Sequence, residues 1–338
     1  MITNTQLRLA RRPVGEVTID DFSVTRAPIP APQDGQVVVR AEYVSIDPSV
    51  RTHLNAGQSY RSMVGIGEVV DVPVAGEVIA SAHPGFEVGD KVTGMLGTQD
   101  YALASGDDLT RVDLSMAPLR AWLGALGLTG LTAYFGLEEV GKPRPAETVV
   151  VTAASGAVGS VAGQIARIRG ARAVGICGSD EKCRWLTEEL GFDAAVNYRS
   201  PDLYRDLKAA TPDRIDVVFD NVGGPLLDTL FRRLGMRGRV IVCGATSQYN
   251  EGEIYGPKNY LALATLRARM EGFIIFDYAD RYDAARREIA GWMQQGLLRA
   301  RENIVEGTIT DYPAVLHRLY QGENLGKMIM RVVPDPNS

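Results

Sequence analysis

At 338 residues the chain exceeds one typical domain, and 45% hydrophobic with 23% charged residues is the composition of a soluble globular enzyme. A net charge of -5 argues against a nucleic-acid surface, and no apolar run is long enough to span a membrane. The opening MITNTQLRLARRP lacks the apolar core of a signal peptide, and three cysteines, Cys177, Cys183 and Cys243, suit a reducing, cytoplasmic setting without disulfides.

Residues 1 to about 120 read as β-rich. Short runs at Val37–Val44, Gly67–Val72, Val74–Ala80, Lys91–Leu96 and Tyr101–Ala104 are broken by Pro- and Gly-containing turns. Irregular short strands of this kind suggest a compact barrel-like module. Ala121–Glu139, rich in Leu and Ala, reads as two helices. From Thr148 the rhythm changes to strand–helix alternation. Strands are expected at 148–153, 173–177, 194–197, 215–220, 239–243 and 272–276. Helices are expected at about 158–169, 180–190, 201–210, 225–234 and 257–268, with another from Arg281 to Gln295. This alternation predicts an α/β protein with a doubly wound parallel sheet. Glu302–Val333 is too short for a domain and is expected to pack back on the first module. The expected division is 1–120 with 300–338, and 121–299.

One stretch organises the second half. Thr148–Thr152 is apolar enough for a central parallel strand, and it runs into Ala154-Ser155-Gly156-Ala157-Val158-Gly159 and then a helix. Free N–H groups at a helix start, pointing outward at the positive end of its dipole, make an anion site. Gly156 would let a pyrophosphate approach the backbone, and Gly159 would let the helix lie close to the strand. Ala154 replaces the first glycine of the usual G-x-G-x-x-G, so the flanking strand and helix carry the assignment.

The tip of the second strand should reveal the dinucleotide. An NAD enzyme places an acid there to bind the ribose hydroxyls. Here the strand ends in Cys177-Gly178-Ser179, and Asp180 and Glu181 belong to the next helix, with Ser179 as its N-cap. Lys182 could fold back on a 2′-phosphate with Ser179 beside it, which favours NADPH. No zinc set can be assembled, because the histidines are His53, His83 and His317 and no cysteine precedes Cys177. Neither a G-x-S-x-G elbow nor a P-loop lysine pattern occurs.

AASGAVGS, GSDEKCRWL, LGFDAAVNY, DNVGG, CGATSQYN and GENLGKMI follow one another across nearly the entire chain. Together they resemble the zinc-free medium-chain dehydrogenase/reductases, in the branch of the leukotriene/prostaglandin reductases and plant double-bond (2-alkenal) reductases. The resemblance implies a GroES-like catalytic domain, a Rossmann domain, a homodimer and NADPH-dependent reduction of α,β-unsaturated ketones or aldehydes. By the same resemblance Gly156, Ala157, Val158 and Gly159 are the pyrophosphate loop, and Lys182 and Tyr198 contact the 2′-phosphate. Asn221 lies at the tip of the fourth strand. Cys243, Gly244 and Ala245 look like the nicotinamide-ribose contact, and Tyr249 is similar to the tyrosine near the ribose and the substrate carbonyl. Phe273, Ile274 and Ile275 would flank the nicotinamide, and Asn324 would bond its carboxamide.

The chain departs from the family at Asp47-Pro48-Ser49, where relatives carry a pocket tyrosine in place of Ser49. Tyr60 could fill that space, though a surface-loop tyrosine fits equally. The expected reaction is hydride delivery to the β-carbon, with Tyr249 and the cofactor ribose supporting the enolate. Quinone reduction, or NADPH binding without catalysis, as in a crystallin-like protein, are the other readings the sequence leaves open.

Overall fold

The computed structural model describes residues 2–56, 61–250 and 254–334. The chain divides into two units, Met1–Leu123 with Glu302–Asn324 and Met328–Ser338, and Gly124–Arg301 with Leu325–Lys327.

The first unit begins with an antiparallel pair, β1 (Thr3–Leu9) and β2 (Phe22–Pro28). Neither was expected, because β1 buries Asn4 and Thr5 alongside Leu7 and Leu9 and so shows no clean apolar alternation. Asn4 Oδ1 accepts the Tyr101 N–H at 3.0 Å, and the Thr5 backbone N–H donates to Asp100 Oδ2 at 3.3 Å. β3 (Gln36–Ser45) is the hub of the larger sheet. A short helix, α1 (Val50–His53), follows it, and then come β4 (Pro73–Ser81), β5 (Lys91–Met95), β6 (Tyr101–Ser105) and β7 (Thr110–Arg111). β3 pairs antiparallel with β4 and β6, and its register with β4 shifts near Ala41. There a Cβ on Gly76 would come 2.1 Å from the Arg40 carbonyl, so only glycine fits. The strand expected at Gly67–Val72 does not form as a ladder. Val70 and Val72 are fully buried, and the segment meets β1 through an isolated Arg8–Val69 bridge and the backbone bonds around it rather than as a named strand. Ala121–Glu139 also differs from two plain helices. A 3₁₀ turn at Leu119–Leu123 precedes α2 (Leu128–Phe135), which runs into a π-type turn at Gly136–Gly141.

In the second unit β8 (Thr148–Val151) leads to α3 (Ala157–Ile168), β9 (Arg172–Cys177) to α4 (Asp180–Arg184), and β10 (Ala194–Asn197) to α5 (Leu203–Ala210). After them β11 (Ile215–Asp220) leads to α6 (Gly224–Phe231), and β12 (Leu234–Val242) to α7 (Ala262–Leu266), followed by β13 (Arg269–Gly272) and α8 (Tyr282–Gln294). Among the described residues the sheet order is β10-β9-β8-β11-β12-β13, with every neighbouring pair parallel. That is the full doubly wound order, whose reversal falls between β8 and β11 and opens a ligand crevice at the carboxyl tips. Val149, Val150 and Val151 are all 0% exposed, as a strand covered on both faces requires. Two expectations shift here. The sixth strand is Arg269–Gly272 rather than 272–276, because the apolar Phe273–Phe276 run turns into 3₁₀ helix at Ile275. The helix expected at 257–268 shrinks to α7, which stops at Arg267 in a left-handed conformation (φ 49°).

The chain then returns to the first unit with β14 (Glu302–Gly307), α9 (Tyr312–Tyr320) and β15 (Lys327–Val332). β15 pairs antiparallel with β3. Tyr312, Leu316, Met328 and Met330 join Leu7, Val39, Val44 and Val74 in one core.

Candidate functional site

At the tip of β8 the chain turns sharply through Ala153, whose φ of 46° is left-handed and strained for a residue with a Cβ. Gly156 is the N-cap of α3. The first-turn N–H groups of Ala157, Val158 and Gly159 therefore have no intrahelical acceptor. A Cβ on Gly159 would lie 2.4 Å from the Ala153 carbonyl and 2.7 Å from Ala154 Cα, so the helix start is pressed against the turn as close as glycine permits. One turn on, a Cβ at Gly163 would come 1.9 Å from the Phe192 ring. These close approaches hold a cradle of backbone donors open for an anion. The sequence did not reveal what braces it. Gly326, in the Leu325–Lys327 segment, bridges Gly156 in parallel and donates its N–H to the Ser155 carbonyl at 2.8 Å. Gly326 has φ 78°, and a Cβ there would lie 2.2 Å from the Arg301 carbonyl, so no larger residue fits.

The neighbouring tip, β9, is built from side chains. Ser179 caps α4, its Oγ accepting the Lys182 N–H at 3.2 Å. Burial lowers the Lys182 ammonium below its ordinary pKa, with Arg199 pushing the same way. Such an ammonium gains from an incoming dianion. Tyr198 lies against the Gly178 backbone: a Cβ at Gly178 would meet its ring at 3.1 Å. Arg199 stands 5.6 Å over the Tyr198 ring, adding a second cation beside Lys182 that the sequence reading missed. Asp180 accepts the Asn197 amide at 2.8 Å, bonding across to the tip of β10. Ser179, Lys182 and Tyr198 are thus together at one strand end.

The tips of β11 and β12 form a second cluster. Asp220 is 1% exposed; burial raises its carboxyl pKa, against hydrogen bonds from Thr152 Oγ1 at 2.8 Å and the Val222 and Gly223 N–H groups. Asn221 donates its side-chain amide to the Thr152 carbonyl at 2.7 Å, so its amide locks the tips of β8 and β11. Cys243 and Gly244 both donate their N–H groups to the Asp220 carbonyl, at 2.9 and 3.2 Å. Desolvation pushes the Cys243 thiol up to about 12, which keeps it protonated and without nucleophilic character at neutral pH. The Tyr249 hydroxyl accepts the Ala245 N–H at 3.3 Å, and a Cβ at Gly244 would come within 2.9 Å of it. Asn221, Cys243, Gly244, Ala245 and Tyr249 are therefore contiguous at the carboxyl edge of the sheet.

Phe273, Ile274 and Ile275 follow the β13 tip. The Phe273 ring packs toward Gly136, while the Ile274 and Ile275 carbonyls accept the Asp277 N–H and the Tyr282 hydroxyl. Ser49 and Asn324 belong to the other unit. Ser49 precedes α1, and its carbonyl accepts both the Thr52 N–H at 3.0 Å and hydroxyl at 2.7 Å. The adjacent Pro48 carbonyl is held by the Tyr320 hydroxyl at 3.0 Å. Asn324 is 8% exposed. Tyr60 lies outside the described residues. Among the described residues no group of three or more His, Cys, Asp or Glu side chains is placed to hold a metal ion, and no helix is long and apolar enough to cross a membrane.

Comparison with known proteins agrees with this architecture. A family described as the N-terminal domain of oxidoreductase matches residues 5–112, and one described as zinc-binding dehydrogenase matches 157–290. The chain is 43% identical to a putative NADP-dependent oxidoreductase of Bacillus subtilis, over 98% of each chain. It is 39% identical to the NADPH-dependent curcumin reductase of Escherichia coli, over 97% of this chain and 96% of that one. With the NADP-dependent 2-alkenal reductase of Nicotiana tabacum it shares 38% identity, over 88% and 87%. The crystal structure of CurA from Vibrio vulnificus in complex with NADPH is similar at 36% identity and a TM-score of 0.92, over 98% of this chain and 100% of that one. Similarity of this extent along both chains makes the family plain: the protein is an oxidoreductase of the zinc-free medium-chain dehydrogenase/reductases.

Proposed function

We propose that this enzyme uses NADPH to reduce the carbon–carbon double bond of α,β-unsaturated ketones and aldehydes. The observation that carries the reading is the Tyr249 hydroxyl held against Gly244 and Ala245, beside the Asp220–Asn221 strand tip. The relatives named for 2-alkenal and curcumin reduction support the substrate class, and those named for NADP support the cofactor.

Bound NADPH would supply the hydride for the β-carbon of the enone. The Gly156–Gly159 backbone would hold its pyrophosphate, and Ser179, Lys182 and Tyr198 its 2′-phosphate. As the C=C electrons move toward the carbonyl, negative charge grows on its oxygen, and a preorganised donor there lowers the barrier. Tyr249 is that donor: a phenol whose oxygen already accepts from Ala245 is polarised toward giving its own proton. The α-carbon takes its proton from Tyr249 or from water. Ser49 leaves more room in the substrate pocket than a tyrosine would, which admits bulkier enones.

We place the enzyme in the cytoplasm as a homodimer. The outer edge of β13 has no strand partner among the described residues, and Tyr260 and Leu261 stand 59% and 66% exposed nearby in the chain. An open edge with apolar neighbours favours a second copy; light scattering that returns a monomer mass would remove it.

The decisive assay follows NADPH oxidation with enals, enones and quinones in parallel, for wild type and Tyr249→Phe at saturating NADPH. Enals and enones should turn over, with Tyr249→Phe slower by about 10²-fold. Unchanged turnover and KM would remove Tyr249 from the reaction. Quinone turnover alone, or tight NADPH binding without turnover, would replace the proposed activity.

A further inference from the structure

Between β9 and the first turn of α4, two thiols face each other across the residues assigned to the 2′-phosphate. Cys177 Sγ and Cys183 Sγ are 3.2 Å apart, both as free thiols. A disulfide would bring them to about 2.05 Å, a closure of roughly 1 Å. Cys177 is buried, 2% exposed. Cys183 is half-buried and lines an open hollow of about 510 Å³ with Asp180, Val196, Asn197 and Ser200, so small molecules reach it and not its partner. The two sulfurs are not equivalent. Only Cys183 meets the hollow, while Cys177 is buried behind it within hydrogen-bond distance.

This asymmetry is the arrangement of an attacking and a resolving thiol. Neither cysteine has a part in the hydride transfer, and a cytoplasmic thiol pair is more often redox-sensing than structural. The pair also sets the local geometry. Cys177 Sγ bonds to the Ser179 carbonyl at 3.7 Å, and Cys183 N–H donates to the same carbonyl at 3.0 Å. Ser179 and Lys182 lie in the short chain segment that a bond between the sulfurs would close.

We propose that Cys177 and Cys183 form a peroxide-sensitive modification site, whose disulfide distorts the Ser179–Lys182 corner and weakens NADPH binding. The oxidant is a hydroperoxide. The Cys183 thiolate attacks its terminal oxygen: an S–O bond forms, the O–O bond breaks and the remaining alkoxide leaves as an alcohol after protonation. The Cys177 sulfur then attacks the sulfenic sulfur of Cys183. The S–S bond forms, the S–O bond breaks, and hydroxide departs with the Cys177 proton as water. One hydroperoxide is reduced to alcohol and water while two thiols become one disulfide, a balanced two-electron step that a dithiol reverses. The disulfide chemistry stands on the thiol geometry alone. Its effect on the cofactor rests on the assignment of Ser179 and Lys182 to the 2′-phosphate.

The test treats the full-length enzyme with hydrogen peroxide, blocks remaining thiols with N-ethylmaleimide, and maps the peptides. NADPH and NADH affinities are measured by fluorescence before and after. The expected result is a Cys177–Cys183 linkage lacking two hydrogens, with Cys243 still a reduced thiol. NADPH affinity should fall about tenfold, NADH affinity far less, and dithiothreitol should restore both. Cys183→Ser, with Cys183→Ala as a second variant should the first fold poorly, should bind NADPH as the reduced enzyme does and ignore peroxide. Absence of the linkage overturns the proposal. So does a linkage that leaves NADPH affinity unchanged in an enzyme that prefers NADPH when reduced. If the reduced enzyme shows no preference for NADPH over NADH, the 2′-phosphate assignment falls and the mapped linkage still decides the thiol chemistry.

Discussion

The tips of β8 and β9 are neighbours in one sheet, yet they prepare for an anion by different means. At β8 the donors are backbone N–H groups, and the side chains have been reduced to hydrogen at Gly156 and Gly159 so that the helix start can close on the turn. At β9 the proposed donors are side chains: Ser179 at the N-cap of α4, Lys182 within it, and Tyr198 just past β10. A backbone cradle can be lost only by moving the chain, whereas a side-chain cradle can be retuned one residue at a time. On the proposed assignment, the first would recognise what all dinucleotides share, and the second what distinguishes them.

Four measurements would break or sharpen this contrast. The largest effect belongs to Gly159→Ala, whose Cβ meets backbone at 2.4 Å. Overpacking of this kind costs about 1–3 kcal/mol. Calorimetry should show NADPH and NADH affinity falling together by up to about 100-fold, and a loss confined to NADPH would contradict the backbone role. Next is Lys182→Ala, which should weaken NADPH by about tenfold or more while sparing NADH. Equal losses would refute the side-chain role.

The pH profile of NADPH binding follows from the same lysine. Burial lowers its pKa, so the ammonium is present below that value and lost as pH rises through it. Affinity should hold once the 2′-phosphate is dianionic, above about pH 6, and decline on the alkaline side sooner than for an ordinary lysine. NADH titrations should lack that limb. The smallest effect is Ser179→Ala, which removes an N-cap. It should lower the thermal midpoint through a loss of about 1 kcal/mol and reduce NADPH affinity modestly. An unchanged midpoint would mean that the cap contributes nothing.

The contrast also shows which features were legible in the sequence. Buried parallel strands announce themselves as apolar runs, so β8 to β11 and the second half of β12 could be placed from Val149, Val174, Val196, Val218 and Val240, while the start of β12 at Leu234 reads as helix. The sixth strand misled because Phe273–Phe276 is apolar for another reason: the Phe273 ring packs toward Gly136 rather than extending a ladder. β1 and β2 escaped notice because buried Asn4 and Thr5 break the apolar alternation, and Asn4 finds its partner across the fold at Tyr101. The strand–turn–helix at Gly156–Gly159 and the Ser179 cap were readable because they have local signatures. Arg199 was not, since a cation over a tyrosine ring leaves no pattern, and the thiol pair became visible only as a distance.

The hydrogen bond from Gly326 to Ser155 gives the cofactor loop a place in time. The strands and helices of the parallel sheet leave the ribosome well before Leu325–Lys327, and domains fold as their segments appear. A nascent chain can thus assemble the sheet while its phosphate loop still lacks one brace. The turn at Ser155 gains its last backbone partner only after Leu325–Lys327 has been made.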